Sequence, residues 1–362
     1  MPGDTSIVLP WAVATASTIA AIVALFALRQ RPEQKESRHG LKNGHTTKQP
    51  PTTPSRSNLV TWTGAPASAK NPSANALLLI AGGVGPRASI EVHAKILKNT
   101  ITAGDDQSHL DVLHISAPAR VTDRTAFIVS GGDTPGHPGE ELAELVIEAA
   151  QATRERHPSR RIIIGVPCMT FHARMIFDGF ERKLAEAFGD DRGSKLVLIN
   201  LIDSVCATFA ADEDIRRICV LGTHGTVKGG TLFASLAESG LDPALPDNST
   251  QSLLHETIYN TTWGLKSKSR VTEKARTNLM QVLDNVVSRG RQTNKPIDAI
   301  LLACTELSFG VPVTFYDGVP IYDALNMLSR TMVAAVDPAK LEPLVEGVRD
   351  WRGLYSSPAS RD

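Results

Sequence analysis

Two stretches share one plan: Ile162-Ile163-Ile164-Gly165-Val166-Pro167-Cys168-Met169-Thr170-Phe171-His172, and Ala299-Ile300-Leu301-Leu302-Ala303-Cys304-Thr305-Glu306-Leu307. Each begins with a short apolar run, typical of a strand covered on both faces, and continues into a cysteine and a threonine. Ligands of parallel α/β sheets bind beyond the carboxyl ends of the strands. The thiols of Cys168 and Cys304 are therefore predicted to lie where chemistry takes place.

Further apolar runs accompany these two. The predicted strands are Ala76 to Ala81, Val112 to Ile115, Ile162 to Val166, Leu196 to Leu201, Ile218 to Leu221 and Ala299 to Ala303. Helical spacing of apolar residues lies between them, at Gly139 to Arg156, Ala173 to Phe188, Gly229 to Ser239 and Val271 to Arg289. Alternation of strand and helix predicts an α/β fold with parallel sheets flanked by helices. The repeated cysteine plan predicts two similar lobes with the active site in the cleft between them.

Composition narrows the class of protein. The chain has 362 residues, of which 42% are hydrophobic, and its 38 basic and 38 acidic residues give no net charge. This balance gives no indication of a nucleic-acid partner. The four cysteines form no CxxC pair, and no histidine cluster has metal-ligand spacing, so we predict free thiols and no metal site.

The first residues differ from the rest. Residues 7–28 carry no charge and are about long enough to cross a bilayer as one helix. Basic residues crowd the segment that follows, so we predict an N-terminal membrane anchor with the catalytic body facing the cytosol. A buried core helix and a cleaved presequence are the alternatives. Residues 29–75 are rich in Pro, Ser, Thr and Lys, which predicts a disordered tether.

Three loops after predicted strands carry candidate ligand groups. The glycine-rich stretch Gly82-Gly83-Val84-Gly85-Pro86 opens a helix, where backbone amides can cradle an anion, although a plain glycine turn explains it equally well. Arg124 can pair with a substrate carboxylate if Asp123 holds it in place, but a surface ion pair is the common alternative. Thr226 can bind a carboxylate or cap a helix, and His224 is expected to be a solvated loop residue.

The remaining cysteines have a simpler interpretation. Cys206 falls in a predicted helix and Cys219 in a predicted strand, where cysteine acts as a small hydrophobe. Cys168 and Cys304 differ because a helix is expected to begin beside each of them. A helix N-terminus favours the thiolate, so we expect their pKa values to fall toward neutrality.

From about Leu77 to Pro343 the sequence resembles the aspartate/glutamate racemase superfamily, and within it the cofactor-independent aspartate racemases. Six segments carry the resemblance in order: Gly82 to Pro86, Asp123 to Ala126, Pro167 to His172, Thr223 to Thr226, Cys304 to Leu307 and Pro320 to Asp323. It implies an isomerase that works without pyridoxal phosphate, takes a small acidic amino acid and forms a homodimer.

The resemblance also implies roles for individual residues. One cysteine, as thiolate, removes the α-proton and the other delivers a proton to the opposite face; these would be Cys168 and Cys304. The implied substrate-binding residues are Arg124, Thr125, Thr170, Thr226, Lys266 and Thr305, with Lys268 as the alternative lysine.

The pattern of strands, helices and cysteines also sets the expected boundaries of the lobes. We predict lobe 1 at 76–195, completed by 308–350, and lobe 2 at 196–307. A final amphipathic helix is predicted over 321–336 and is expected to pack on the first lobe.

One residue departs from the family pattern. Relatives usually carry Asn after the first cysteine, whereas this chain has Met169, which cannot form the same hydrogen bonds. Other superfamily chemistry therefore stays open, namely hydantoin racemization, maleate isomerization or decarboxylation. So does a ligand-binding homologue with weakened catalysis.

Overall fold

The computed structural model describes residues 75–189, 195–267 and 270–343. The predicted anchor, nearly all of the predicted tether and Lys268 lie outside these residues. Within the described ranges, no helix is both long enough and apolar enough to cross a membrane.

In the part of the chain that the structure describes, nine strands form two sheets. They are β1 (Ala76–Gly82), β2 (Val112–Ser116), β3 (Arg161–Gly165), β4 (Leu196–Ile199), β5 (Arg217–Leu221), β6 (Asp242–Ala244), β7 (Ala299–Leu302), β8 (Phe315–Tyr316) and β9 (Val319–Asp323). All six predicted strands are confirmed. The strand predicted to reach Leu201 ends at Ile199, because the side chain of Asn200 accepts hydrogen bonds from the backbone of Ile202 and Asp203 and starts a helix.

Eleven α-helices connect the strands in the described residues. They are α1 (Pro86–Lys98), α2 (Arg124–Ser130), α3 (Pro138–Arg156), α4 (Arg174–Phe188), α5 (Leu201–Ala210), α6 (His224–Gly229), α7 (Thr231–Glu238), α8 (Asn248–Tyr259), α9 (Glu273–Gln292), α10 (Leu307–Gly310) and α11 (Ala324–Val336). The four predicted helices are confirmed as α3, α4, α7 and α9, with ends that differ by up to three residues.

The two sheets repeat one topology. The first has the strand order β2-β1-β3-β4 and is parallel throughout. The second has the order β6-β5-β7-β9, also parallel, with β8 added antiparallel at its edge. Cys168 follows the third strand of the first sheet and Cys304 the third parallel strand of the second. The two cysteines therefore occupy equivalent places in two similar lobes.

The sheets correct the predicted lobe boundaries. Strand β4, at residues 196–199, pairs with β3 and so belongs to the first sheet, although lobe 2 was predicted to begin there. Strand β9, at residues 319–323, pairs with β7 and belongs to the second sheet, although residues from 308 onward were assigned to lobe 1. The predicted final helix at 321–336 is correspondingly shorter, because Asp323 caps it at its first residue, Ala324.

Helix α11 lies where the two lobes share a hydrophobic core. It packs against α1, α5 and strand β3. Alternate residues of β3 separate two clusters: Ile163 faces the core shared with the second sheet, while Ile162 and Ile164 face α3 and α4. Gly165 lies directly beneath Met332 of α11, so any side chain at 165 would overlap it. The predicted packing of the final helix on the first lobe is confirmed.

Candidate active site

The carboxyl ends of β3 and β7 deliver the two cysteines. The Cys168 amide donates to the Val166 carbonyl at 2.9 Å, in a tight turn that starts a short 3-10 helix, Met169–His172. The Cys304 amide donates across the second sheet to the Leu221 carbonyl at 3.2 Å. All four cysteines are buried free thiols, as predicted. Cys206 and Cys219 lie inside α5 and β5 and not at the end of a strand, so their structural role stays a prediction.

Cys304 has a carboxylate for a neighbour. Its thiol donates to Oε2 of Glu306 at 3.1 Å, and the Thr305 hydroxyl donates to the same oxygen at 3.3 Å. The other carboxylate oxygen, Oε1, lies 3.5 Å from the Lys266 ammonium. Lys266 Nζ also lies 4.6 Å from the centre of the Tyr259 ring. A thiol, a carboxylate and an ammonium group thus form one contiguous cluster.

Charges in this cluster set its protonation. Burial opposes ionisation of Glu306, but the Lys266 ammonium, the Cys304 thiol and the Arg124 guanidinium outweigh it, so the pKa of Glu306 is lowered. Burial also opposes the charge on Lys266. The Glu306 carboxylate, followed by Tyr259, Cys304 and Cys168, nevertheless raises the pKa of Lys266. The Lys266 ammonium and the Glu306 carboxylate therefore stabilise each other's charged form.

The expected thiolate is not found at Cys304. Burial, followed by the adjacent Glu306 carboxylate, raises the pKa of Cys304 well above the ordinary thiol value, and Lys266 opposes this only in part. The prediction that a helix N-terminus would lower this pKa is wrong for Cys304, because burial and the adjacent Glu306 carboxylate both disfavour the thiolate.

Threonines from both lobes meet beside Cys168. The hydroxyl of Thr170, in lobe 1, lies 3.0 Å from that of Thr226 and 3.3 Å from that of Thr223, both in lobe 2. All three side chains are buried. Thr223, and not Thr226, caps α6, because its hydroxyl accepts from the Thr226 amide at 3.2 Å. The Thr226 hydroxyl instead bonds to Thr170 of the other lobe.

Arg124 begins α2 and is buried. Its Nη1 donates to the Thr122 carbonyl at 3.3 Å, whereas its buried Nε has no hydrogen-bond partner among the described residues. Asp123 does not hold it, which corrects the prediction: the Asp123 carboxylate caps α2 by accepting from the Ala126 amide at 2.7 Å. A buried N–H group without a partner is costly, and a ligand oxygen would satisfy it.

Loops of one lobe approach those of the other in a reciprocal way. Gly85, after the first strand of lobe 1, faces the turn after β7, since a side-chain carbon there would lie 3.2 Å from Glu306 Oε1. Gly225, after the first strand of lobe 2, faces lobe 1, since a side-chain carbon there would lie 2.6 Å from the Thr125 hydroxyl and 3.0 Å from the Thr170 methyl. The carboxyl ends of the two sheets therefore meet face to face.

The arrangement matches a known family of enzymes. The sequence profile of Asp/Glu/hydantoin racemases matches residues 82–330, which include both cysteines and both sheets. The chain belongs to this family. The matched residues include the strands β2 to β9 completely and the last residue of β1, Gly82.

Two solved structures that are similar to this chain are racemase-like proteins, and the first of them shares its fold. Aspartate racemase of Picrophilus torridus is 22% identical, with a TM-score of 0.52, and the match covers 72% of this chain and 94% of that protein. PH1733, an aspartate racemase homologue of Pyrococcus horikoshii OT3, is 17% identical, with a TM-score of 0.49, over 72% of this chain and 99% of that protein. At these identities the likeness concerns the racemase fold.

All predicted site residues fall in this one region of the family fold. Thr125, Thr170 and Thr226 line the lobe-to-lobe contact, whereas Thr305 and Lys266 surround Cys304. Among the described residues, no group of three His, Cys, Asp or Glu side chains is arranged to hold a metal ion. His224 is exposed, as expected, but it begins α6 and does not lie in a loop; its ring stacks on that of His255 with centroids 3.9 Å apart.

Sequence reasoning assigned no role to Glu306 or Tyr259. Glu306 lies two residues after Cys304, at the end of an apolar strand. A charged residue at that place in the sequence could have indicated a role in the active site. Tyr259 gave none, because it reaches the site only through the packing of α8. Met169 is buried in the hydrophobic cluster shared by the two lobes, so its thioether adds apolar surface beside Cys168.

Proposed function

We propose that this protein is an amino-acid racemase that interconverts the enantiomers of aspartate, or of a similar acidic amino acid, by two-base proton transfer without a cofactor. Membership of the racemase family supports the reaction class. The observation that carries the proposal is the equivalent placement of Cys168 and Cys304 after β3 and β7, at the carboxyl ends of two sheets whose loops face each other.

The reaction needs one thiolate and one thiol. The thiolate takes the α-proton and becomes a thiol, which leaves the electron pair on the α-carbon. The opposite thiol then gives its proton to the other face of that carbon and becomes a thiolate. The product is the other enantiomer, and the two sulfurs have exchanged protonation states, so the reverse reaction starts from the state in which the forward one ends.

Binding of the α-carboxylate falls to the hydroxyl groups beside the sulfurs. Thr170 and Thr226 from opposite lobes, and Thr305 next to Cys304, supply donors that suit a carboxylate. The Lys266 ammonium adds positive charge where the α-carbon carries an electron pair in the transition state. Stabilising such charge in a buried site is the larger part of catalysis in many enzymes.

The side-chain carboxylate is assigned to Arg124. Its buried Nε lacks a partner, and a guanidinium group can bind a carboxylate through two parallel hydrogen bonds. Thr125, next to it in α2, lies within reach of the same ligand. This pairing favours an acidic amino acid over a hydantoin, which has no distal carboxylate.

Exchange in D2O tests the proposal. The purified full-length chain is incubated with L-aspartate in D2O, and the products are followed by NMR and chiral chromatography. We expect deuterium at the α-carbon together with D-aspartate. Absence of exchange with every acidic amino acid tried, aspartate and glutamate included, would refute the proposal.

Single cysteine replacements test the roles. Cys168→Ser and Cys304→Ser should each lower turnover by about 100-fold or more, because each removes one of two acid–base groups. Cys206→Ser is the matched control, since that thiol lies in a hydrophobic cluster away from the cleft, and it should retain activity. Full activity in either site variant would exclude the two-base scheme.

A ligand-binding homologue is the second candidate, and Met169 favours it. An apolar side chain replaces a hydrogen-bonding one directly beside Cys168, and the loss of one polar contact costs about 1 to 3 kcal/mol. Calorimetric binding of L-aspartate without any α-proton exchange would support this candidate. If the missing hydrogen bond is the one reason for weakened catalysis, Met169→Asn should increase turnover.

A further inference from the structure

Glu306 is a buried carboxylate that the exchange of protons between two cysteines does not by itself require. Its Oε2 accepts hydrogen bonds from the Cys304 thiol at 3.1 Å and from the Thr305 hydroxyl at 3.3 Å. A carboxylate in this position stabilises the S–H form and opposes a second negative charge beside it. Both effects act on the protonation of a single sulfur.

The geometry points to Glu306 as a positioning residue that holds Cys304 in its thiol form, so that Cys304 is the resting proton donor and Cys168 the resting base. This inference deepens the proposed racemase function and rests on it. It assigns different resting states to two cysteines that occupy equivalent positions in the two lobes.

The surroundings of the two sulfurs differ in the way this assignment requires. The Cys304 thiol donates a hydrogen bond to the Glu306 carboxylate, whereas the hydrogen bonds around Cys168 involve its backbone: its amide donates to the Val166 carbonyl and its carbonyl accepts from the Phe171 amide. His172 accompanies Cys168, but its ring nitrogen bonds the Cys168 carbonyl oxygen and not the sulfur. No described carboxylate forms a hydrogen bond with the Cys168 thiol.

Other charges around Cys304 are few and can be separated. Lys266 favours the thiolate, and it acts through space because its ammonium pairs with the far oxygen of Glu306, at 3.5 Å. The Arg124 guanidinium acts on Glu306 from the other lobe. The Tyr259 hydroxyl is uncharged and bonds Thr125. Burial and Glu306 therefore raise the pKa of Cys304, whereas Lys266 lowers it. Replacing Glu306 should lower the titration midpoint of Cys304, and replacing Lys266 should raise it.

A spectroscopic titration isolates the sulfur. Cys168→Ser, Cys206→Ser and Cys219→Ser in the full-length chain leave Cys304 as its one remaining cysteine, whose thiolate is followed by ultraviolet absorbance as the pH rises. Adding Glu306→Gln should lower the titration midpoint by about one pH unit or more, which corresponds to about tenfold more thiolate at a fixed pH below both midpoints. Glu306→Asp should keep most of the effect, and Lys266→Met should raise the midpoint.

A matched control and a kinetic measurement complete the test. Glu256→Gln removes an exposed carboxylate of α8 from the same lobe and should leave the midpoint unchanged. With both active-site cysteines present, the alkaline limb of the kcat/KM profile should begin at lower pH in Glu306→Gln, because a two-base enzyme fails once its second thiol ionises. A residue that only supports the fold would lower activity equally at every pH.

Clear outcomes would overturn the inference. They are a Cys304 midpoint that stays the same or rises in Glu306→Gln, or one that falls in Lys266→Met. Circular dichroism establishes that each variant is folded, and if Glu306→Gln does not fold, the Lys266→Met and Glu306→Asp midpoints decide the question. Since the titration needs no turnover, failure of this inference is distinguishable from failure of the proposed racemase function, which D2O exchange measures.

Discussion

The hydroxyl of Tyr259, at the end of α8, lies 2.9 Å from the hydroxyl of Thr125, in the first turn of α2. This hydrogen bond joins lobe 2 to lobe 1 at the edge of the candidate active site. The same tyrosine presents its ring to the Lys266 ammonium, which in turn pairs with Glu306. Tyr259 therefore connects Thr125 of lobe 1 to the cluster of Lys266 and Glu306 that surrounds Cys304 in lobe 2.

Removing this hydroxyl should loosen the contact between lobes. Tyr259→Phe keeps the ring beside Lys266 but loses the bond to Thr125, at an expected cost of about 0.5 to 1.5 kcal/mol in the free energy of unfolding. We also expect a higher KM, because the two lobes bind the substrate together. Urea unfolding and steady-state kinetics measure the two effects.

Tyr316→Phe is the matched control for that variant. It loses a hydroxyl bond to Asp284, at 2.7 Å, that lies wholly within lobe 2. It should lose comparable stability with an unchanged KM. An equal rise of KM in both variants would show that the effect of Tyr259 is one of general stability and not of lobe contact.

Arg124 should determine the preference for acidic substrates. Arg124→Lys keeps the charge but loses the planar pair of donors, so KM for aspartate should rise about tenfold or more. Arg120→Lys, at a nearby exposed position, is the control and should behave as the wild type. Unaltered discrimination between aspartate and asparagine in Arg124→Lys would argue that the distal carboxylate binds elsewhere.

His172 should make the protein sensitive to acid. It is fully buried next to Cys168, its ring stacks on Phe177, and burial lowers its pKa to about 4 despite a hydrogen bond to the Cys168 carbonyl. Its unfolded-state pKa is about 6.5, so between pH 6.5 and 4 the unfolded chain binds a proton that the folded chain does not. Neutral His172 therefore contributes about 3 kcal/mol to the free energy of unfolding above pH 6.5, and this contribution is lost as the pH falls from 6.5 to 4.

Unfolding in urea at pH 7 and pH 5 measures the part of that loss that falls above pH 5, about 2 kcal/mol. His172→Phe should flatten the pH dependence, whereas His157→Asn, at a partly exposed histidine, should retain it. An unchanged slope in His172→Phe would mean that other groups cause the acid sensitivity.

Gly85 should be required for the approach of the two lobes. Its φ of 120° is one that residues with side chains rarely adopt, and an added carbon would lie 3.2 Å from Glu306 Oε1. Gly85→Ala should cost about 1 to 3 kcal/mol of stability and also lower kcat, because it displaces Glu306. Activity and thermal unfolding are measured on the same preparation.

Gly131→Ala separates these two effects. Gly131 also has a positive φ, of 73°, but nothing lies within 4 Å of an added carbon. It should lose stability with no loss of kcat in the folded fraction. Equal kinetic effects at both positions would contradict a specific role for Gly85.

Predictions from the sequence were best where one physical signal dominated. Long apolar runs gave the strands β1, β2, β3, β4, β5 and β7, because only buried parallel strands need apolar residues on both faces. Strand β9 was missed because Pro320 interrupts Val319–Asp323 and its last three residues were predicted as the start of the final helix. Three-residue β6, Asp242–Ala244, carries too little pattern to be detected.

The sequence by itself determined the α/β class, the repeated strand-then-cysteine plan and the two thiols, because hydrophobic period and strand-end chemistry are local properties. Only the tertiary structure decided which lobe each strand joins and which groups face each sulfur. Protonation of Cys304 depends on the burial and charge of Glu306 and Lys266, and Lys266 is brought there by a segment that is distant along the chain. Such electrostatic contacts have no local pattern, because they arise only when the carboxyl ends of the two sheets meet.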